Sequence, residues 1–272
     1  MERHLGLAVL FRSRTSPVVV RAAGGSQKRS GASSSRSSSG SSSGSSSRSL
    51  SSSRRGGSFE KKLTRSGRNL NDTFSQRSKT EGYVARSAYK LLEIQQKHKI
   101  IPLGGYVLDL GCHPGAWLQV ACQSIGPRAK GGLVLGIDIQ ETSKPGRYTD
   151  DRVQILHGDA REVDGTMWRS YAARGLDVVL SDMCHWTHGN SVIDSAKSLE
   201  LARTAFEISL YKEEGYTLLK PGGSLVMKIL QGAGIEEFAK ELKGHYKTIK
   251  HHRPKATRSE SKEVFLIGLG KL

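Results

Sequence analysis

Long apolar runs are missing from this chain. No stretch of its 272 residues approaches the roughly 20 consecutive apolar side chains that a helix needs to cross a bilayer, so no membrane partner is expected. Cysteine is scarce. Cys112, Cys122 and Cys184 are an odd set without Cys-x-x-Cys spacing, which argues against a disulfide framework, excludes a small secreted scaffold and favours a reducing compartment. Acidic side chains are nearly absent from the first 65 positions, where 2 stand against 13 basic ones. The remaining 207 residues carry 23 acidic against 29 basic, so most of the formal charge of +17 lies in the leading segment.

That segment opens MERHLGLAVLFRSRTSPVVVRAA, with arginines breaking up short apolar stretches, and continues into a tract with 17 serines between positions 30 and 53. Such a tract buries too little apolar surface to offset the entropy of ordering it. Arg12 and Arg14 interrupt any secretory apolar core, whereas a basic, acid-poor, serine-rich leader suits organellar import. Residues 1–65 are therefore expected to be a disordered targeting segment, for the mitochondrion with the plastid as alternative. A basic arm that holds RNA by charge is the competing expectation. Residues 66–272 are of a size for one α/β domain, expected to be a monomer.

Within that domain, helix-like and strand-like periodicities alternate. Residues 86–98 predict a helix with Ala88, Leu91, Leu92 and Gln95 on its inner side. Strands are expected at 106–110, 132–138, 153–159, 176–182, 224–230, 246–250 and 263–269, with helices near 116–125, 164–174, 193–211 and 234–243. Apolar strands with little polar alternation indicate a sheet covered on both faces. The expected fold is a doubly wound, mostly parallel seven-stranded α/β sheet, and ligands of such sheets bind beyond the carboxyl ends of the strands.

Acidic residues gather there: Asp109, Asp138, Asp159 and Asp182. After the first strand, DLGCHPGAW places Gly111 and Gly115 in a turn into a helix, where missing side chains let a ligand approach the backbone. The G-x-x-x-G spacing differs from the pyrophosphate-wrapping G-x-G-x-x-G and suits an adenosine ligand without a diphosphate. Asp138 is placed for ribose hydroxyls and Asp159 for the adenine amino group, although either could simply cap a turn. S-adenosylmethionine, whose sulfonium is positive, fits a carboxylate-lined pocket. Trp117 is a candidate to pack on it, with core packing as the alternative. Lys228 lies inside the apolar strand SLVMKIL, where an unpaired ammonium would be strongly disfavoured, and Asp182 is its expected partner. Burial and nearby positive charge are expected to lower its pKa far enough for it to act as a base.

Taken together, RSAYKL, DLGCHPGAW, GID, HGDARE, LSDM, KPGGSLVMKILQG and TRSESKEVFLIGLG resemble, in order and spacing, the FtsJ (RrmJ) type of ribosomal RNA 2′-O-ribose methyltransferases over residues 75–272. The resemblance implies a class I methyltransferase fold and a tetrad of Lys90, Asp182, Lys228 and Glu263. It also implies cofactor contacts at Gly115, Trp117, Asp138, Asp159 and Asp182. Without it, Lys90 and Glu263 would pass for solvated salt-bridge residues.

The implied chemistry is methyl transfer to a ribose 2′-hydroxyl, with Lys228 taking or directing the proton, Asp182 orienting it, Lys90 lowering its pKa or holding a phosphate, and Glu263 orienting the hydroxyl or Lys90. Ribosomal RNA or the large ribosomal subunit is the implied partner, gripped by Arg86 and by the basic run from Arg253 to Lys262. Transfer RNA is an alternative substrate, and an RNA-binding ribosome-assembly factor with weak or no activity is an alternative function. After Asp182-Met183, relatives usually have a small residue, Pro-Asn and a glycine turn; this chain has Cys184-His185-Trp186-Thr187-His188-Gly189. Cys184, His185 and His188 are zinc-ligand types, but no well-spaced fourth ligand accompanies them, so no metal is assigned and loop packing or RNA stacking is expected. Cys112 beside His113 is expected to pack the turn rather than act as a nucleophile.

Overall fold

The alternation of helix and strand is present in a computed structural model that describes residues 73–272; the leader expected over 1–65 lies outside the described residues. Helices α1 (Thr73–Glu81) and α2 (Ala88–His98) precede β1 (Tyr106–Leu110), α3 (Ala116–Ser124), β2 (Leu133–Asp138), β3 (Val153–His157), α4 (Gly165–Tyr171), β4 (Leu176–Ser181) and α5 (Ser191–Leu210). A short antiparallel pair, β5 (Lys212–Glu213) and β6 (Tyr216–Thr217), leads to β7 (Leu219–Leu230), α6 (Ile235–Leu242), β8 (Tyr246–His252) and β9 (Glu263–Lys271). No helix among the described residues is long and apolar enough to cross a membrane.

Seven strands form one sheet in the order β3-β2-β1-β4-β7-β9-β8. The first five in that order run parallel, and β9 pairs antiparallel with both β7 and β8. The chain winds outward from β1 to β3 and then returns to β4 beside β1, so the strand order reverses between β1 and β4. A crevice opens there at the carboxyl ends. One face of the sheet is covered by α4, α5 and α6 through Trp168, Phe206 and Phe238; α2 and α3 cover the other through Leu91, Ile94, Trp117 and Leu118. Being buried on both faces explains the unbroken apolar runs of β1, β2 and β4. By contrast, the edge strand β8 exposes Lys247, Lys250 and His251, charges that oppose edge-to-edge pairing.

Three details depart from the sequence-based expectation. The inner side of α2 is Ala88, Tyr89, Leu91 and Ile94, while Gln95 is half-buried and bonds both the N–H and the carbonyl of Ile101. β7 begins at Leu219, since the Lys220-Pro221-Gly222-Gly223 segment runs through as an irregularity opposite β4 rather than as a turn before the strand. Finally, α1 was not expected, because its sequence TFSQRSKTE has almost no apolar periodicity. It is held at its end instead, where Glu81 accepts from Arg77 at 2.6 Å and from the Tyr89 hydroxyl at 2.9 Å, and its carbonyl accepts from Tyr148.

Candidate active site

Side-chain alternation along the strands brings four polar residues to one face. In β9, Glu263 shares a face with Phe265 and Ile267; in β7, Lys228 shares one with Val226; and Asp182 continues the Val178–Leu180 side of β4. All of these apolar neighbours pack towards α2 and α3, so the polar residues at the strand ends point the same way. Lys90 enters from α2 above them, with its ammonium 5.9 Å from the centre of the Phe265 ring. Register completes the placement, since Lys228 lies opposite Phe265 and Leu230 opposite Glu263.

The four residues form two ion pairs. Lys228 is 7% exposed and donates to the Asp182 carbonyl at 2.6 Å, and its Nζ lies 3.1 Å from the Asp182 carboxylate without hydrogen-bond alignment. Lys90 straddles the Glu263 carboxylate, 2.6 Å from Oε1 and 2.8 Å from Oε2. This pair is largely buried, unlike the solvated bridge that the isolated sequence suggests. The expected lowering of the Lys228 pKa is not found. Burial, the largest influence, pushes it down, but Asp182, Cys184 and Glu263 push up, and the balance lies above the ordinary 10.5. Lys228 is therefore a cation in the free protein, and the charges acting on it are acidic.

Beside this group lies the glycine turn. Gly111 and Gly115 have φ of 76° and 103°, which side chains rarely adopt, and a Cβ would meet Met183 at Gly111 and Pro145 at Gly115. The close approach of Gly111 to Met183 makes the turn contiguous with Asp182. Asp138 is tied down by the backbone N–H groups of His113 at 2.8 Å and Gln140 at 2.7 Å. Asp109 has no exposed surface, and among the described residues neither carboxylate oxygen has a hydrogen-bond partner. Burial, then the negative charges of Asp182 and Asp138, raise its pKa well above the usual carboxylate range. Three carboxylates thus crowd the ends of β1, β2 and β4.

Two other candidates sit differently. Asp159 caps a short turn through Arg161 N at 2.9 Å and pairs with the Arg161 guanidinium at 2.5 Å, which is the capping alternative. Trp117 is 3% exposed, donates to the Ser87 carbonyl and packs against Phe265, so its ring belongs to the core. The Cys112 thiol is buried beside Gly136, and burial raises its pKa, in keeping with turn packing. The basic segments converge: Arg86 donates to the Ala256 carbonyl, while Arg253 donates to the carbonyls of Glu263, Arg258 and Ser259. His252 is buried against Glu93 and is not an exposed cation.

A model of the FtsJ-like methyltransferases matches residues 83–271. A protein of Desulfosudis oleivorans named ribosomal RNA large subunit methyltransferase E is 40% identical over 207 residues, which is 75% of this chain and 93% of the relative. One of the same name from Acinetobacter baumannii is 39% identical over 77% of this chain and 94% of its own. The chain belongs to the FtsJ-like methyltransferase family. A crystal structure of a ribosomal RNA methyltransferase from Plasmodium falciparum shares the fold, with a TM-score of 0.57 over 70% of this chain and 99% of that one, at 23% identity.

As an FtsJ-like methyltransferase, the protein uses S-adenosylmethionine, which supplies a methyl group carried on positively charged sulfur. The residues present fit such a molecule. The partnerless carboxyl of Asp109, flanked by Asp138 and Asp182, favours a cation, and the Gly111–Gly115 turn leaves room along the backbone. Asp138 and Asp182 would hold its polar groups, and a bound cation would draw the buried Asp109 carboxyl, whose pKa is raised, towards its anionic form. The sequence placed Asp109 at a strand end without giving it a role, although an acid inside the apolar strand YVLDL was the signal. Asp194 was missed altogether. It lies in the first turn of α5, where it reads as a helix-end acid, yet it accepts from the N–H groups of His188 and Gly189 and draws in His185.

Proposed function

We propose that the protein methylates a ribose 2′-hydroxyl of large-subunit ribosomal RNA in an organelle, the mitochondrion ahead of the plastid, and that it does so as a monomer. The observation that carries the substrate assignment is the buried Lys228–Asp182 pair, set against the Lys90–Glu263 pair and contiguous with the glycine turn. A ribose hydroxyl is a poor nucleophile that needs a group to hold its oxygen and take its proton. Lys228, starting as a cation, orients the hydroxyl. It would lose a proton to solvent more readily once positive charge is bound beside Asp138 and Asp182, and the neutral amine would then accept the hydroxyl proton; bound S-adenosylmethionine would supply the methyl group to the oxygen, its methyl–sulfur bond breaking to leave a neutral thioether. Asp182 keeps Lys228 in place. Glu263, fixed by Lys90, acts on Lys228 and on the hydroxyl from the other side.

Names of the curated relatives support ribosomal RNA as the substrate. The joined basic segments at Arg86 and Arg253–Lys262 support an RNA grip beside the tetrad. The acid-poor leader over 1–65 supports import. The test is transfer of a labelled methyl group to organellar ribosomal RNA by the purified protein, with ribose methylation mapped in cells that lack it. One ribose site should be methylated by the protein and lose its mark in those cells. Absence of transfer to any RNA, with stable binding to immature ribosomes, would favour the assembly-factor reading instead.

A further inference from the structure

The loop between β4 and α5 contains a cluster that the methyl-transfer chemistry does not use. The Asp194 carboxylate Oδ1 lies 3.3 Å from His185 Nε2 and 3.5 Å from His188 Nδ1. One donor atom from each of the three side chains falls within 4.8 Å of the others. The two imidazoles are roughly parallel, with their planes 19° apart. Both rings thus direct a nitrogen at a single carboxylate oxygen. Asp194 is buried, whereas His188 is about half-exposed, so the cluster has a closed floor and an open side.

Tetrahedral zinc with bonds of about 2.0–2.1 Å to imidazole nitrogen and carboxylate oxygen places its ligand atoms about 3.3–3.4 Å apart. The two separations from Asp194 Oδ1, 3.3 and 3.5 Å, match two edges of such a tetrahedron, and the third, between the imidazole nitrogens, is at most 4.8 Å, so the rings need to close slightly on an ion. Asp194 is preorganised as a ligand, because the backbone N–H of His188 at 2.9 Å and that of Gly189 at 3.2 Å fix its orientation. We propose that His185, His188 and Asp194 form a zinc site with a fourth position open to water. Asp194 is the ligand that sequence spacing did not reveal, since it lies on the next helix.

A metal there would tie the loop to α5. That helix is itself docked on the end of β7, where Ser198 accepts from Leu230 N and Ser195 abuts Gly232. The loop directly follows Asp182, so the ion would fix the segment beside the Lys228–Asp182 pair. The site does not depend on which RNA is methylated.

The chain has 9 histidines and 3 cysteines, so stoichiometry alone is not decisive. Untagged full-length protein is stripped with a chelator and titrated with Zn²⁺ against a chromophoric competitor, alongside His185→Ala and His188→Ala. His188→Ala keeps the backbone N–H that Asp194 accepts and removes only the imidazole. One equivalent is expected to bind to the wild type, with at least about tenfold weaker affinity in each variant and unchanged circular dichroism. Co²⁺ in place of zinc should give a visible spectrum of tetrahedral nitrogen and oxygen ligation. No stoichiometric binding, equal binding by the wild type and both variants, or a thiolate charge-transfer band placing the ion at Cys184 would each overturn the proposal.

Discussion

Asp109 carries a pronounced electrostatic imbalance. Its carboxyl is fully buried without a hydrogen bond and faces two further carboxylates, so its native pKa lies far above the unfolded one. The native state then binds the proton more tightly than the unfolded chain, and stability falls as pH rises through and beyond the usual carboxylate range. Asp109→Asn removes that slope. Denaturant titrations at pH 5 and pH 8 should show a clear decline in the wild type and a smaller one in the variant. Trp186 is a contrasting residue, 88% exposed on the loop beside Asp182. As a stacking platform for an RNA base, its replacement by alanine should weaken RNA binding by about 1–3 kcal/mol and leave the melting temperature unchanged.

At the scale of elements, the central strands were legible because being covered on both faces makes them continuous apolar runs, and their mostly parallel arrangement followed from alternation with helices, whereas their order in the sheet did not. Of the candidate site, Asp182 and Lys228 could be read from chemistry, a lysine inside SLVMKIL demanding an acid nearby. Lys90 and Glu263 could not, because their partnership joins α2 to β9 across 173 positions; only the family resemblance singled them out. The sign of the Lys228 shift was misjudged for a related reason: the acids that oppose burial arrive from β4, the following loop and β9. Lys271 in β9 shows the opposite outcome. Among the described residues its ammonium donates to the carbonyls of Ser209 and Leu219 alone, and burial, followed by Lys212, pulls its pKa down to about 8. The unfolded chain therefore binds more protons than the native one between about pH 8 and 10.5, and this residue's contribution to stability improves as pH rises through that window. The stability of wild type relative to Lys271→Met should increase from pH 8 to pH 10 in chemical denaturation; a constant difference would contradict the shift.

For the whole molecule, charge is divided between a strongly basic first 65 residues and a mildly basic remainder, and the proposed function assigns the two separable tasks. Fusing residues 1–65 to a fluorescent protein should deliver it to mitochondria, whereas the chain from residue 66 onward should keep its methyl transfer to naked RNA. If the leader held RNA instead, its removal would weaken binding and flatten the dependence of affinity on salt. Within the domain, sheet topology brings acids to the ends of β1, β2 and β4, and side-chain alternation brings Lys228 and Glu263 beside Asp182 under Lys90. The account depends on Lys228 moving a proton at that junction. Its most direct test is single-turnover transfer of labelled methyl to ribosomal RNA, followed against pH for the wild type and Lys228→Ala. The wild-type rate should rise with pH as the amine becomes neutral, and Lys228→Ala should be at least about 100-fold slower with RNA and cofactor binding intact. Undiminished transfer by Lys228→Ala would contradict the account.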